Sequence, residues 1–272
     1  MPRGIWTGFI SFGLVNIPVV MVSAVHENNV AFHMLHDQDN ARLQRKMVCS
    51  LDGQEVHPEH ITKGYQIGDE YVPIQQAELD ALAPDKSKSM EISDFVDLKQ
   101  IDPVFFDRPY YLLPDRNAAK PYALLVEAME KTQKVGIARF VMRGKEYLGA
   151  LRVVEGIICL ETMRFNDEVV APNKAGPATE HPEINDRELK AAEQLIETLS
   201  TKFKPDSYHD QYRQRVLAMI EKKAKGEKFS APAAITAKKA PASDLMAALE
   251  ASIARSKEKK PAAAAPRRRK SA

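Results

Sequence analysis

Several residue types and patterns that mark large protein classes are scarce or missing. Only Cys49 and Cys159 are cysteines among 272 residues, which is too few for a disulfide framework and favours a reducing compartment. No stretch approaches the roughly 18 consecutive apolar residues of a membrane span, and the first residues lack the charged-then-apolar pattern of a secretory signal. We therefore expect a cytoplasmic protein that has no membrane partner.

Sequence motifs of the common enzyme classes are missing as well. There is no P-loop, no G-x-G-x-x-G turn and no G-x-S-x-G elbow, and no two carboxylates are spaced convincingly for acid–base work. A desolvated lysine is nucleophilic enough for Schiff-base chemistry, but no feature of the sequence singles out one lysine. The sequence therefore predicts a protein without catalytic residues, cofactors or enzyme activity.

Metal-ligating residue types occur, although not in a complete pattern. His33 and His36 form one H-x-x-H pair and His57 and His60 form another, with Cys49 between the pairs. Zinc sites use such spacings, but no C-x-x-C motif accompanies Cys49. We expect structural or surface roles for these side chains and no metal site, an expectation that bound zinc in an elemental analysis would overturn.

A nearly balanced net charge of +2 conceals an uneven distribution. From Ser230 onward the chain has ten basic and three acidic residues, a net charge of +7, which leaves −5 on the rest of the chain. A basic tail on an acidic body suggests a polyanionic partner. Any contact between the body and a nucleic acid must therefore come from a local basic surface.

The body of the chain is rich in β-forming residues. Residues 5–25 combine Ile, Val, Phe and Trp with Gly and Pro, which is typical of short strands with bends. Further strands are expected at 67–74, 91–98 and 157–165, and a helix at 121–134, where apolar residues recur at helical spacing. This pattern predicts a mixed α/β, β-rich fold of the barrel or sandwich type.

The most informative segment is a predicted hairpin at 137–153. Gly144-Lys145 suits the two central positions of a type II′ turn, and that register places Arg139 opposite Ala150. Because opposed residues share a face of a sheet, one face carries arginines and the other is apolar. The arginines are Arg139, Arg143 and Arg152, and the apolar face holds Ala138, Phe140, Met142, Tyr147, Leu151 and Val153.

Helices replace strands after position 182. A first helix is expected after Asn185, with apolar residues spaced 3, 4, 3, 4 until Pro205 stops it, and a second helix is expected at 208–225. Two such helices after a strand-rich body are suited to packing or dimerisation.

Beyond position 229 the composition changes to Ala, Pro, Lys and Arg, which is typical of disorder. One amphipathic helix is predicted inside this tail at 243–256, with an apolar stripe of Leu245, Leu249 and Ile253. The stripe either folds back on the protein's own body or docks in the groove of a partner. Its isolation between basic segments favours the partner.

Seven segments, taken in order, resemble one family. They begin with IWTGFISFGLVNIPV at Ile5 and continue through ITKGYQIGDEYVP, DRPYYLLPD, KPYALLVEAM, GIARFVMRGKEYLGALR, ETMRFNDEV and DLMAALEASI. The chain in this respect resembles the bacterial Ku family up to about Ile253. The resemblance implies a Ku-core β-barrel with a DNA-encircling, ring-forming arm at 1–182, a helical C-terminal arm of the core at 183–229 and a flexible tail at 230–272.

The resemblance also implies a function in the repair of double-strand breaks. It implies a homodimeric ring that binds double-stranded DNA ends without sequence preference in non-homologous end joining, protects them, and recruits and stimulates DNA ligase D at the nucleoid. A backbone-gripping ring fits that role because a break occurs at any sequence. Two alternatives stay open, a general nucleoid protein that binds through its basic tail and a lyase that acts on abasic DNA ends.

The hairpin face and nearby basic clusters are the candidate DNA contacts. The hairpin face contributes Arg139, Arg143 and Arg152, and the other candidates are Arg42, Arg45, Lys46, Lys86, Lys88, Lys131 and Lys134. In the tail we expect salt-sensitive, non-specific contacts from Lys259, Lys260, Arg267, Arg268, Arg269 and Lys270. For each of these residues the alternative is a solvated surface charge.

Overall fold

The structure, a computed structural model, describes residues 4–82, 88–176, 183–227 and 245–259. The chain divides into two compact units, Met1–Pro177 and Ala178–Ala272. The strands are β1 Trp6–Phe12, β2 Val15–Ser23, β3 Lys63–Ile67, β4 Glu70–Ile74, β5 Ser89–Asp97, β6 Phe106–Pro114, β7 Lys134–Met142, β8 Lys145–Val154 and β9 Ile157–Met163. The α-helices are α1 Gln76–Leu82, α2 Ala119–Thr132 and α3 Pro172–Ala175 in the first unit, and α4 Asp186–Leu199, α5 Gln211–Ala224 and α6 Leu245–Lys259 in the second. Among these described residues, no helix has both the length and the apolar character needed to cross a bilayer.

Seven strands of the first unit close into a barrel in the order β1-β2-β6-β9-β8-β7-β5. The parallel pairing of β1 with β5 is the closing seam, and the remaining neighbours are antiparallel. Alternate side chains point inward because successive residues of a strand face opposite sides, so Ile10, Val19 and Leu160 are fully buried. The predicted β-rich barrel is confirmed.

Helix α2 packs against the barrel and completes its core. The Tyr122 hydroxyl donates a hydrogen bond to the Leu112 carbonyl at 2.6 Å and accepts one from the Ile158 amide at 2.9 Å. The helix is thereby tied to the neighbouring strands β6 and β9. Burial raises the pKa of the Tyr122 phenol, which keeps this hydroxyl protonated and able to donate. The apolar side chains of α2 join those of the barrel in one cluster, with Leu125, Val126 and Met129 buried.

The register of the β7–β8 hairpin differs from the predicted one. Arg139 pairs with Leu148, not with Ala150, because the two turn residues are Arg143 and Gly144. Both have left-handed backbones, with φ of 54° and 78°, which is the type I′ geometry that matches the twist of a two-residue hairpin. The type II′ turn at Gly144-Lys145 was therefore a wrong prediction. The error is two positions in the pairing, an even number, so the predicted arginine face and apolar face keep their members along the strands.

Other boundaries also differ from the sequence-based predictions. The single strand expected at 67–74 was wrong, since β3 and β4 form a hairpin that turns at Gly68, where φ is 62°. Glycine adopts this left-handed conformation without the clash that a Cβ would cause. Strand β6 was not predicted because Asp107 and Pro109 interrupt the apolar pattern at its start, and β6 shows a register irregularity at that place. The strands expected at 91–98 and 157–165 are present as β5 and β9.

The two ends of the barrel carry different attachments. At one end, here called the arm-root rim, lie Ser23, Ser89, Asp107, Met142 and Lys145, which are residues at or next to the ends of β2, β5, β6, β7 and β8. At the other end, here called the far rim, lie the β1–β2 turn, the β8–β9 turn and the start of α2.

Residues 25–82, here called the arm, leave the barrel at the arm-root rim, and the chain re-enters the barrel there at β5. None of these residues, all of which the structure describes, is buried. Two short turns closed by the isolated bridges Leu35–Arg42 and Val48–Glu55 are followed by the β3–β4 hairpin and by α1. Large apolar side chains of the arm are exposed, among them Phe32, Leu51 and Tyr65 with exposed fractions of 69%, 95% and 65%.

The second unit is helical, as predicted. Asn185 caps α4 by accepting a hydrogen bond from the Arg187 amide at 2.9 Å, and Asp210 caps α5 in the same way through the Arg213 amide. Helix α6 packs against α4, and Ile253 is buried. Part of the apolar stripe expected on α4 stays exposed, with Ile196 at 66%.

Candidate nucleic-acid interface

The outer face of the β7–β8 hairpin carries the arginines that the sequence singled out. Arg139 is exposed in the middle of β7 and Arg152 is half-buried near the end of β8, on the same face of the sheet. In the observed register they are four positions apart along the ladder, about 13 Å, and Arg143 lies in the turn four residues beyond Arg139. The three arginines therefore share one side of the barrel without forming a tight cluster.

The Arg152 side chain forms an ion pair with Glu161 of the neighbouring strand β9. Its Nη2 and Nε atoms donate to Oε1 of Glu161 at 2.7 Å and 3.1 Å. The Glu161 side chain is only 13% exposed, so this carboxylate needs the guanidinium to compensate its lost hydration. Glu161 therefore neutralises much of the positive charge that Arg152 could offer to DNA.

Three of the predicted lysines are also paired with carboxylates. The Nζ atom of each lysine lies close to a carboxylate oxygen. The distances are 2.6 Å from Lys46 to Glu55, 2.6 Å from Lys131 to Glu127 and 2.8 Å from Lys134 to Asp97. The hydrogen bond with Glu127 raises the pKa of Lys131 and the same contact lowers the pKa of Glu127. Exposed pairs of this kind contribute little to stability, yet they lower the net positive charge that each lysine offers to a phosphate.

The remaining predicted basic residues have no ion pair within the described part of the chain. Arg139 is exposed on β7, Arg143 is exposed in the turn, and Lys88 is exposed just before β5 at the arm-root rim. Arg42 and Arg45 are exposed on the arm, next to its first short turn. These five side chains are therefore available to a polyanion, although Arg139 has Glu91 directly opposite it on β5.

Several predicted contacts lie outside the described residues. They are Lys86 between α1 and β5, the side chain of Lys259, and the tail residues Lys260, Arg267, Arg268, Arg269 and Lys270.

Two basic residues of the barrel were missed by the sequence analysis. Arg108 is exposed at the start of β6, and Arg164 follows β9, where its Nη2 donates to Asp107 at 3.1 Å. Both lie at the arm-root rim. Prediction of strand β6 would have identified them. The pairing of β6 with β9 brings Arg164 next to Asp107, which is 57 positions earlier in the chain.

One of the histidines weighed as metal ligands contacts a carboxylate, and Cys159, which was not among those candidates, is buried. His36 contacts Asp39 at 2.9 Å through Nδ1, and no group of three or more potential ligands converges anywhere in the described ranges. Cys159 is buried on β9, where burial and then the nearby Glu161 carboxylate raise the pKa of its thiol to about 11. A thiol that stays protonated near neutral pH is a poor nucleophile.

The apolar stripe of the last helix is partly covered by its own protein. Along α6, Leu245 is exposed, Leu249 is half-buried and Ile253 is buried, and the helix packs against α4. Of the two possibilities that the sequence left open, folding back on the body is thus the arrangement seen in this structure. The exposed Leu245 end is the part of the stripe that is accessible in this arrangement.

Comparisons with known proteins agree with this architecture. A family model described as the Ku70/Ku80 beta-barrel domain matches residues 11–191. The chain is 48% identical over 236 residues to the non-homologous end joining protein Ku of Anaeromyxobacter sp. (strain K), covering 86% of this chain and 79% of that protein. It is 39% identical to non-homologous end joining protein Ku 1 of Geotalea uraniireducens, covering 91% and 95%, and 37% identical to the Bacillus subtilis protein Ku, covering 93% and 82%.

A solved structure, the SPOC domain of human PHD-finger protein 3, shares 9% identity and has a TM-score of 0.29, covering 59% of this chain and 95% of that one. A likeness of that size supports no argument about this protein. The family match and the bacterial relatives, each extending over most of the chain, are sufficient by themselves. This chain belongs to the Ku family.

Proposed function

We propose that this protein binds double-stranded DNA ends without sequence preference in non-homologous end joining. It does so as a homodimeric ring that threads onto a free terminus, protects the end and recruits DNA ligase D. The names of the bacterial relatives support the repair role, and the arm supports the ring.

The exposed apolar surface of the arm is the observation that supports the proposed ring. It extends over residues 25–82 without one buried residue, yet it exposes large apolar side chains such as Phe32, Leu51 and Tyr65. A soluble monomer rarely leaves so much apolar surface uncovered, and such surfaces mark interaction sites. A second copy of the same chain supplies a matching surface through two-fold symmetry, which is the commonest arrangement of soluble oligomers.

The root of the arm fits a loop that encloses a duplex. The arm starts after Ser23 on β2 and the chain returns to Ser89 on β5, and these strands flank β1 at the arm-root rim. An arm that is anchored at both ends on one rim and paired with that of a second copy leaves an opening between the two barrels. DNA carries one charge per about 1.7 Å of axis, so basic side chains around that opening hold it at any sequence.

End preference then follows from topology and not from chemistry. A closed ring reaches the inside position only over a free terminus, whereas a protein that binds through its basic tail reaches linear and circular DNA alike. We expect tight binding to a linear duplex and little binding to the same sequence as a covalently closed circle, measured by mobility shift at 150 mM salt. Equal affinity for the two forms would favour the tail-driven nucleoid protein instead.

The barrel contacts are tested by charge reversal. Arg139→Glu together with Arg143→Glu places two negative charges on the hairpin, and we expect weaker end binding with a smaller dependence of log K on log salt. Arg152→Gln is the matched comparison on the same face. Because Arg152 compensates Glu161, we expect this change to lower the melting temperature and to leave the salt dependence of DNA binding unchanged.

Helix α6 is the proposed contact with DNA ligase D. Deleting residues 243–256 should leave end binding intact and reduce stimulation of the ligase. Two point variants separate docking from folding back, because Leu245 is exposed and Ile253 is buried. Leu245→Asp should reduce ligase stimulation without changing the stability of the second unit, whereas Ile253→Asp should change both. Full ligase stimulation after the deletion would contradict the docking proposal.

The proposed role needs no catalysis. Burial of Cys159 raises the pKa of its thiol to about 11 and keeps it protonated. The exposed lysines lack the desolvation that makes an amine nucleophilic. Borohydride treatment of a mixture with abasic DNA tests the lyase alternative. We expect no covalent adduct.

A further inference from the structure

A cleft of about 460 Å³ opens at the arm-root rim. Its lining includes the apolar or aromatic side chains Ile5, Tyr110 and Met142, and it also includes Arg108 from the start of β6 and Arg143 from the β7–β8 turn. Strands β6 and β7 are not neighbours in the barrel, so the two guanidinium groups reach this cleft from separate places along the rim.

Neither arginine is engaged by another side chain. Within the described residues neither guanidinium makes an ion pair or a side-chain hydrogen bond, since Arg108 uses only its backbone groups, which bond Thr162. Two carboxylates also line the cleft. One of them, Asp107, is already engaged by Arg164 at 3.1 Å, and the other is Glu27, near the beginning of the arm. When Arg164 is counted, three arginines face two carboxylates, and this excess of one positive charge favours binding of an anion.

Two turns with similar φ values show that the backbone at this rim does not require a positive charge. Arg143-Gly144 at the arm-root rim has φ values of 54° and 78°, and Glu155-Gly156 at the far rim has 49° and 78°. Both are two-residue hairpin turns whose first position favours Asn or Gly. A long charged side chain in the left-handed region costs backbone energy at either place. The turn at the arm-root rim has an arginine and the turn at the far rim has a glutamate. Residues with a strained backbone often occur at functional sites.

We propose that Arg108 and Arg143 together clasp one backbone phosphate of the duplex at the arm-root rim. This inference rests on the proposed function, because an arm that encloses a duplex must begin where the duplex lies, and the arm begins next to this cleft. Two guanidinium groups present planar, multiple donors to the oxygens of one phosphodiester. The site faces the backbone and reads no base, as sequence-independent binding requires.

The test uses the full chain and a fluorescent 40-base-pair blunt duplex. The test variant is Arg108→Gln with Arg143→Gly, in which glycine relieves the left-handed position while it removes the guanidinium. The matched control is Arg116→Gln with Lys120→Gln, which removes the same charge from exposed positions at the far rim. Both proteins are compared by thermal unfolding, and we expect no lower melting temperature for the test variant.

Binding is then measured across a range of salt concentrations. Loss of one phosphate contact should reduce the slope of log K against log salt by about 1 and raise the dissociation constant about five- to tenfold at 150 mM salt. The far-rim control should keep the wild-type slope. Glu27→Gln should strengthen binding roughly twofold, because it removes a like-charged neighbour of the phosphate.

Two results would overturn the proposal. One is a slope for the test variant that equals that of the wild type or of the far-rim control. The other is a loss of affinity that occurs on duplexes with 5′-phosphates and not on duplexes with 5′-hydroxyls. That result would mean that the cleft binds the terminal phosphate and not a backbone phosphate. A wild-type protein that does not distinguish linear from closed DNA contradicts the proposed function itself. If the wild type makes that distinction and the variant binds equally well, only the phosphate cleft is wrong.

Discussion

The barrel and the arm are built from similar residues and differ in what those residues contact. In the barrel, apolar side chains such as Ile10 and Leu160 are fully buried and join α2 in one cluster. In the arm, side chains as apolar as Phe32 and Leu51 remain exposed. The barrel therefore has a buried core within a single copy, whereas the arm has none.

This difference assigns folding stability to the barrel core and assembly of two copies to the arm. Burial of apolar surface contributes about 25 cal/mol per Å², so the barrel core accounts for most of the folding energy of the first unit. The arm has only its turns, one hairpin and a short helix to hold it. Changes in the barrel core should therefore alter melting, and changes in the arm should alter assembly and the enclosure of DNA.

The largest expected effect comes from removing the arm. Residues 25–87 can be replaced by a linker of about ten residues, because β2 and β5 are separated by β1 and their ends are offset by five residues along it, a gap of about 20 Å. We expect a cooperatively folded barrel that has lost end binding by about a hundredfold or more, since enclosure is no longer available. The single tryptophan, Trp6, donates a hydrogen bond to the Val141 carbonyl inside the barrel, so its fluorescence reports folding. Non-cooperative melting would show that the barrel depends on the arm.

A core substitution is expected to have the next largest effect, on stability. Leu160→Ala removes a fully buried side chain of β9 and should lower the free energy of unfolding by about 2–5 kcal/mol. Denaturant titration followed by Trp6 fluorescence measures it. Dimer affinity below the melting range should not change, and a large change there would break the distinction between the two regions.

The matched substitution on the arm should show the reverse behaviour. Phe32→Ser with Leu51→Ser replaces side chains that are 69% and 95% exposed, so the melting of the barrel should stay the same. Each large apolar side chain buried in a dimer contributes about 1.5–3 kcal/mol, so the dissociation constant of the dimer should rise at least about tenfold. Sedimentation velocity over a concentration series measures it, and an unchanged dimer would place the interface elsewhere.

A smaller effect is expected from one hydroxyl group. Tyr122→Phe removes the group that bonds both the Leu112 carbonyl and the Ile158 amide, and leaving these buried groups unpaired should cost about 1–3 kcal/mol. The denaturation midpoint should fall while DNA binding stays the same. A loss of DNA binding in the folded protein would mean that α2 takes part in more than the core.

The smallest effect is a difference in thiol reactivity. Cys159 in the barrel is buried with a pKa of about 11, while Cys49 in the arm is partly exposed. At pH 8 a thiol reagent should modify one thiol per native chain quickly, and the second only after denaturation, because the thiolate is the reactive form. Two thiols that react equally fast would show that the barrel opens readily.

The sequence predicted the barrel better than it predicted the charges on it. Strand alternation places Arg139 and Arg152 on one face in either register, because a shift of two positions preserves the face. The ion pairs could not be predicted from the sequence, because Lys134 and Asp97 are 37 residues apart in the chain and Arg164 and Asp107 are 57 residues apart. Exposure of the arm's apolar side chains was also not predictable, because residues such as Phe32 and Leu51 are of types that usually lie in a core, and only the three-dimensional arrangement shows that nothing covers them.

Topological trapping tests the proposed ring most directly. The protein is loaded on a linear plasmid, the DNA is closed by ligation, and the complex is washed at high salt, which removes contacts that depend on counterion release. A ring predicts that the protein stays on the closed circle at two chains per ring and leaves when a restriction enzyme cuts the DNA. Release from the closed circle at high salt would contradict encirclement by the arm.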